Sequence, residues 1–123
     1  MTLLAVLVAI VVPQPTAHAA GGDDDGCQTR SCRDRVAERL QRRHWRATVR
    51  PYRAWIDRTS RCESGGRWTI SNPPYSGGMQ FMLSSWRAVG GVGYPHRASR
   101  LEQMYRAVLL LRLQGRGAWP VCG

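Results

Sequence analysis

The sequence "RCESGGRW", residues 61–68, places a single carboxylate, Glu63, between a cysteine and a pair of glycines. Before it, residues recur at the spacing of one helix face: Tyr52, Trp55, Ile56, Thr59 and Cys62. Glu63 follows Ile56 by seven residues and therefore shares that face, and Gly65 and Gly66 end the helix. We expect Glu63 to face the core at a helix C-terminus, where desolvation and the helix dipole raise its pKa.

The 123 residues suffice for one small domain. An apolar run, Leu3–Val12, precedes a small-residue site that ends at Ala19. This pattern predicts a signal peptide over residues 1–19, since the run is shorter than the roughly 20 residues that a membrane span needs. We therefore expect a soluble protein that is secreted or held at the cell wall.

Four cysteines permit three disulfide pairings. We favour Cys27–Cys32 together with Cys62–Cys122, because each bridge then serves one segment. The first closes a small loop in a linker, residues 20–33, that we expect to be disordered, and the second brackets the core. Zinc sites need paired cysteine or histidine spacings that this sequence does not contain. No metal and no cofactor are expected.

All 18 basic residues are arginine, and eleven of them lie between Arg33 and Arg67. Such a patch favours a polyanionic partner, which could be nucleic acid, an anionic lipid or an anionic cell-wall polymer. Because the protein is expected to be exported, an anionic lipid or an anionic cell-wall polymer is favoured over nucleic acid. Residues 34–50 are predicted to form an arginine-rich helical segment with a narrow apolar stripe: Val36, Leu40 and Ala47.

A short β-hairpin is predicted after the first glycine pair. Trp68–Ser71 forms one strand, residues 72–75 the turn, and Gly77–Phe81 the returning strand. Ser84 then caps a short helix.

The last predicted helix opens with a capping box, in which Ser99 and Glu102 satisfy the first free backbone groups. This assigns Glu102 a structural role. The helix runs to Gly115, and its buried face is apolar: Leu101, Met104, Tyr105, Val108 and Leu109. The predicted fold is mainly α (α+β).

Five blocks, "CESGG", "GGMQF", "SSW", "GGVGYP" and "WPVC", occur in this order within about residues 55–122. With them the chain resembles the resuscitation-promoting factor domain, a small transglycosylase-like relative of lysozyme. The resemblance implies a compact lysozyme-like domain with a short hairpin beside a peptidoglycan cleft. We place this catalytic domain at residues 51–123.

The resemblance also implies roles for particular residues. Glu63 is the expected catalytic acid, and Cys62 is expected to pair with Cys122. Five further residues are expected to contact the substrate: Gln80, Ser85, Trp86, Trp68 and Tyr75.

Glycosidases usually place two carboxylates beside the scissile bond. Here Glu102 is assigned to a helix cap, and Asp57 is expected on another face of its helix, paired with Arg61. The sequence therefore favours a single-acid mechanism in which Glu63 protonates the glycosidic oxygen and the substrate's N-acetyl group stabilises the cation. The product is either a 1,6-anhydro sugar or a hydrolysed end.

The predicted function is thus a secreted enzyme that cleaves the MurNAc–GlcNAc bond of peptidoglycan. Its expected partners are glycan strands and anionic wall polymers rather than nucleic acid, and a monomer is expected. Two alternatives remain open. A non-catalytic wall-binding module does not need Glu63, and a cationic membrane-active protein depends on the arginine-rich segment alone.

Overall fold

The computed structural model describes residues 26–123. The four helices are α1 (Arg30–Val49), α2 (Arg53–Ser64), α3 (Leu83–Ala88) and α4 (Arg100–Gln114). The three strands are β1 (Ser71–Asn72), β2 (Tyr75–Ser76) and β3 (Phe81–Met82). Short 3₁₀ turns occupy Arg50–Tyr52, Pro95–Arg97 and Gly115–Ala118. The predicted fold class is confirmed. The predicted signal peptide and the linker before residue 26 lie outside the described residues.

α1 begins earlier than predicted. Thr29 is its N-cap, and the Thr29 hydroxyl accepts a hydrogen bond of 3.2 Å from the backbone N–H of Cys32. The Cys27–Cys32 disulfide closes this turn, as predicted. The cap satisfies a free backbone N–H of the first turn, and the bridge restrains that turn. Residues 30–33 are therefore helical and not part of a disordered linker.

The C-terminal half of α1 packs on α4 through aromatic rings. Trp45 stacks on Tyr105 with ring centroids 5.2 Å apart, and Val49 is buried at the junction. Leu40 remains 47% exposed, so the predicted apolar stripe is largely in solvent. No helix within residues 26–123 is both long and apolar enough to cross a membrane.

α2 ends where the two glycines predict. The backbone N–H of Gly65 donates to the Arg61 carbonyl, and that of Gly66 donates to the Ser60 carbonyl. Gly65 has φ +65°, a left-handed conformation that glycine adopts without steric cost. The bond from Gly65 is that of an αL cap, and the two bonds together satisfy carbonyls in the last turns of α2 and fix the direction in which the chain leaves it.

A connected row of aromatic rings forms the centre of the core. Trp86 meets Phe81 edge-on at 5.2 Å, Phe81 meets Trp119 at 6.2 Å, and Trp119 meets Trp55 at 5.1 Å. The Trp119 indole N–H donates to the Met79 carbonyl at 2.7 Å. This row joins α2, β3, α3 and the C-terminal tail, so the tail is part of the core.

The sheet differs from the predicted hairpin. β1 pairs with β2 around a turn that contains the cis Pro73–Pro74 bond, and β3 adds a third antiparallel strand. Residues 77–80 were expected to be a strand but form a turn instead. Gly77 and Gln80 have φ of +80° and +49°, which a strand does not allow, and the Gln80 N–H donates to the Gly77 carbonyl.

The helix starts are partly as predicted. The expectation that Ser84 caps α3 is wrong, because β3 leads directly into the helix and Met82 holds the N-cap position. At α4 the Ser99 hydroxyl does accept from the Glu102 N–H at 3.2 Å. On α4, Met104 and Val108 are buried as expected. The other three expected core residues, Leu101, Tyr105 and Leu109, are only partly buried.

Gln103 is a fully buried polar residue that the apolar periodicity did not predict. Its side-chain oxygen accepts from the Gly78 N–H at 2.9 Å. Its side-chain nitrogen donates to the carbonyls of Trp68 and Ala98, at 2.9 and 3.1 Å. One amide therefore ties α4 to the segments before β1 and before β3.

Replacing Gln103 with leucine leaves one buried N–H and two carbonyls without this partner. We expect Gln103→Leu to lower the free energy of unfolding by about 2–4 kcal/mol, measured by urea denaturation. Gln41→Leu is the control, because Gln41 is exposed on α1 and its replacement should change stability by less than about 0.5 kcal/mol. Equal effects from the two variants would contradict this role.

The second disulfide joins Cys62 to Cys122, as predicted, across 60 residues of sequence. The Thr59 hydroxyl reinforces it by donating to the Cys122 carbonyl at 3.2 Å. The last turn of α2 is therefore fastened both covalently and by a hydrogen bond to the tail.

Cys122→Ser should cost about 4 kcal/mol, because a bridge over this length removes much chain entropy from the unfolded state. The thermal midpoint should fall by more than about 10 °C in a calorimetric scan. Serine at both Cys27 and Cys32 is the matched control. That bridge closes only the first turn of α1, so the midpoint of the main domain should move little. An unchanged midpoint for Cys122→Ser would refute the estimate.

Candidate active site

An open cleft of about 580 Å³ lies where α2 and α4 end. One wall comes from the sheet and α3, and the other from the C-terminal tail. The helices, the sheet and the turn before β3 supply Glu63, Tyr75, Gln80, Phe81, Met82, Ser85, Leu110 and Gln114. The tail supplies Gly117, Ala118, Trp119, Pro120, Val121 and Cys122. The size is that of a site for a small ligand or for part of a polymer.

Glu63 lies in this cleft, one residue before the end of α2, and is partly buried. Burial desolvates its carboxylate and raises the pKa above the usual value. The C-terminal end of the α2 dipole acts in the same direction, because it disfavours negative charge. Within residues 26–123, nothing forms a hydrogen bond or ion pair with this carboxylate. The Glu63 carboxyl group is therefore free to contact a ligand.

The two neighbouring arginines leave Glu63 unpaired. Arg67 donates its Nε–H to the Ser64 carbonyl at 3.0 Å, and Arg61 is exposed. The hydroxyl of Ser64 lies 2.8 Å from the Gly78 carbonyl and ties the end of α2 to the turn after β2. These contacts hold the backbone on both sides of the cleft without neutralising Glu63.

No other carboxylate of the described chain lines the cleft. Asp57 pairs with Arg53 at 2.9 Å and with Arg100 at 3.4 Å. The expected Asp57–Arg61 pair is therefore wrong: helical side chains lean toward the N-terminus, which brings Asp57 to Arg53, and Arg100 approaches from α4. Glu102 pairs with Arg106 at 3.3 Å.

Gln80 lines the same cleft as Glu63 and has a left-handed backbone, with φ +49°. Its side-chain nitrogen donates to the Gly77 carbonyl at 3.0 Å, so part of its role is structural. Its side-chain oxygen has no partner within the described residues. A non-glycine residue in this conformation costs about 1–3 kcal/mol, and such strain is concentrated at functional sites.

The remaining predicted contact residues fall into two groups. Tyr75, which is 43% exposed, and Ser85 both line the cleft with Glu63 and Gln80. Trp86 does not: its side chain is fully buried, with its N–H directed to the Val92 carbonyl, so its expected sugar contact is wrong. Trp68 also lies outside the cleft lining, packed against Gly78 and beneath Arg100.

The tail is the part of the site that the sequence did not reveal. The sequence assigns the block "WPVC" to the family resemblance and to the disulfide, but not to the cleft, yet residues 117–122 form a whole wall of the cleft. Gln114 adds a polar group from the last turn of α4. A usable signal was present, because a bridge from Cys62 to Cys122 must bring the tail beside Glu63.

The raised pKa predicts how Glu63 affects stability. Folding favours the protonated form, so stability falls as the pH rises from about 4.5 through the folded-state pKa. Glu63→Gln removes this loss. At neutral pH the variant should melt at a higher temperature than the wild type, and below pH 4.5 the two midpoints should converge. A variant that melts at a lower temperature at neutral pH would contradict a raised pKa.

Comparison with known proteins agrees with this geometry. A family model described as a transglycosylase-like domain matches residues 51–122. The chain is 58% identical over 67 residues to resuscitation-promoting factor Rpf of Micrococcus luteus, and this match covers 54% of the chain and 30% of the relative. It is 50% identical over 68 residues to RpfE of Mycobacterium tuberculosis, covering 54% and 40%.

A third relative extends the match slightly. The chain is 44% identical over 80 residues to resuscitation-promoting factor Rpf1 of Corynebacterium glutamicum, covering 62% of the chain and 41% of the relative. The chain thus spans less than half the length of each of these three relatives. The similarity concerns the domain that contains the cleft.

Proposed function

This chain belongs to the transglycosylase-like domain family, and from that premise we propose that it cleaves the glycan strands of peptidoglycan. Glu63 is the catalytic acid and acts on the MurNAc–GlcNAc bond. The observation that carries the proposal is a partly buried carboxyl group with a raised pKa, unpaired within residues 26–123, in an open cleft. A raised pKa favours the protonated form, which is the form that can donate to a leaving oxygen.

Glu63 protonates the glycosidic oxygen as the bond to the anomeric carbon breaks. The positive charge that develops on the sugar needs an anionic or nucleophilic partner. Since the cleft contains no second carboxylate from the described chain, the substrate's own N-acetyl oxygen supplies that partner. This is the single-acid mechanism.

After the leaving group departs, the Glu63 carboxylate acts as the base. It removes a proton either from the sugar's 6-hydroxyl, which closes a 1,6-anhydro ring, or from water, which gives a reducing end. Both routes return Glu63 to its protonated form. Tyr75, Gln80 and Ser85 bind the strand, and the amide oxygen of Gln80 accepts a hydrogen bond from a sugar hydroxyl or N-acetyl N–H.

The place of action follows from the substrate. We propose that the protein is exported and works at the cell wall as a monomer. Two disulfides fit this location, because such bridges persist in oxidising compartments outside the cytosol.

Release of soluble muropeptides from purified peptidoglycan tests this function. Glu63→Gln keeps the shape of the side chain but removes the proton, so turnover should fall about 10²–10⁴-fold. Mass analysis of the released fragments separates 1,6-anhydro from reducing ends.

Glu102→Gln is the matched control, because it neutralises a carboxylate that pairs with Arg106 outside the cleft. It should retain most of the activity. Release near the wild-type level by a folded Glu63→Gln protein would exclude the catalytic role. A wall-binding module without catalysis would then be the better account.

A further inference from the structure

A second concave surface lies at the opposite end of the domain from Glu63. It is a groove of about 540 Å³ between the end of α1 and the first turns of α2 and α4. Along α2, Arg53 in this groove and Glu63 in the cleft are ten residues apart, or about 15 Å. The two surfaces therefore can hold different ligands at the same time.

Four arginines surround the groove, while its floor is apolar. Arg46, Arg50, Arg53 and Arg100 form the rim, and the floor consists of Val49, Leu101 and Met104. Asp57 pairs with Arg53 and Arg100 and is the carboxylate facing this rim. Four positive groups against one negative group leave a net positive rim.

The positive rim continues along α1 as a line of arginines. Arg39, Arg43, Arg46 and Arg50 follow one another at intervals of four, three and four residues. On a helix these positions fall within about 60° of the circumference and extend about 16 Å. We call these four residues the arginine ladder. It lies on the side of α1 away from Trp45, which packs on α4.

The four ladder residues have no side-chain partners within the described residues, a property they share on α1 with Arg30 at the far end of the helix. Their side chains are exposed, and within residues 26–123 they make no hydrogen bond, ion pair or aromatic contact. Neighbouring arginines differ: Arg42 pairs with Glu38, and Arg35 donates to the Ser31 hydroxyl. Four unneutralised cations in one line repel one another, a cost that a linear polyanion would relieve.

We propose that the ladder and the groove bind a linear phosphodiester polymer of the cell wall, and this rests on the proposed function for the presence of the protein in the wall. Phosphates follow the ladder as charge-assisted partners of the guanidinium groups. The polymer's apolar backbone carbons lie over the floor of Val49, Leu101 and Met104. The polymer thus holds the enzyme on the wall while the cleft acts on glycan.

Two other polyanions fit the surface less well. A lipid bilayer needs a protruding apolar face, whereas the apolar residues of the groove form a recessed floor. Single-stranded nucleic acid is bound by aromatic side chains placed among the charges. The ladder has none, because Trp45 is stacked on Tyr105.

Binding of purified poly(glycerol phosphate) tests the proposal. It is measured over a range of salt concentrations in a Glu63→Gln background, so that no cleavage occurs. Replacing Arg39, Arg43, Arg46 and Arg50 together with glutamine preserves helix propensity. We expect affinity at low salt to fall about tenfold or more. The magnitude of the negative slope of log affinity against log salt should decrease by about 3, because each of the four lost contacts contributes about 0.7.

The matched control replaces four other exposed arginines that lack side-chain partners within the described residues: Arg30, Arg58, Arg61 and Arg87. It removes the same charge, and its affinity should change less than about threefold. Equal losses in the two variants, or no loss in the ladder variant, would overturn the proposal. Ladder-dependent binding of an oligodeoxynucleotide or of anionic lipid vesicles, without binding of the wall polymer, would overturn it as well.

Cleavage of short glycan fragments independently tests whether the ladder and the cleft are separate surfaces. With Glu63 intact, the ladder variant should release products from short soluble glycan fragments at the wild-type rate, because the ladder lies outside the cleft. Absence of cleavage by the wild type would count against the proposed function alone, since polymer binding is measured without catalysis. Slower cleavage of short fragments by the folded ladder variant would contradict the separation of the two surfaces.

Discussion

The disulfide between Cys62 and Cys122 holds the C-terminal tail against the last turn of α2, one residue from Glu63. The cleft exists because of this constraint, since residues 117–122 form one of its walls. Trp119 adds a non-covalent anchor, with its ring in the aromatic core and its N–H on the Met79 carbonyl. The same contacts therefore complete the core of a small domain and shape its proposed active site.

The orientation of α2 and α4 gives the domain two different ends. Both helices begin at the arginine-lined groove and end at the cleft. Helix N-termini favour anions and C-termini disfavour them. One arrangement thus makes one end attractive to polyanions and helps to raise the pKa of the Glu63 carboxyl at the other. Binding to the wall and cleavage of glycan can then be carried by separate surfaces of one domain.

The sequence predicted the parts governed by local rules. Helix periodicity and the glycine pair located α2, its end and a desolvated Glu63 there. The cleft itself was expected only from the family resemblance. Spacing alone did not predict the turn at residues 77–80, because Gln80 adopts a backbone conformation that its residue type disfavours. The spacing also did not predict the burial of Gln103, whose side chain bonds to three backbone groups, two of them 25 and 35 residues away in sequence.

The tryptophans illustrate the same limit. No local signal in the sequence shows whether Trp86 and Trp68 pack in the core or bind sugar. Tertiary packing buries Trp86 and places Trp68 beneath Arg100. The arginine ladder is the opposite case. The spacing of its four arginines can be read from the sequence. Its lack of partners and its continuation into a groove could be recognised only once the structure gave the positions of Asp57 and α4.

The central claim is that the cleft raises the pKa of the Glu63 carboxyl above that of an exposed glutamate. A ¹³C NMR titration of the glutamate side-chain carboxyl groups tests it directly, with Glu63→Gln used to assign the resonance. We predict that the Glu63 resonance titrates with a pKa above the ordinary value of 4.5. A titration midpoint at or below 4.5 would contradict the account, because the cleft would then not favour the protonated form of Glu63.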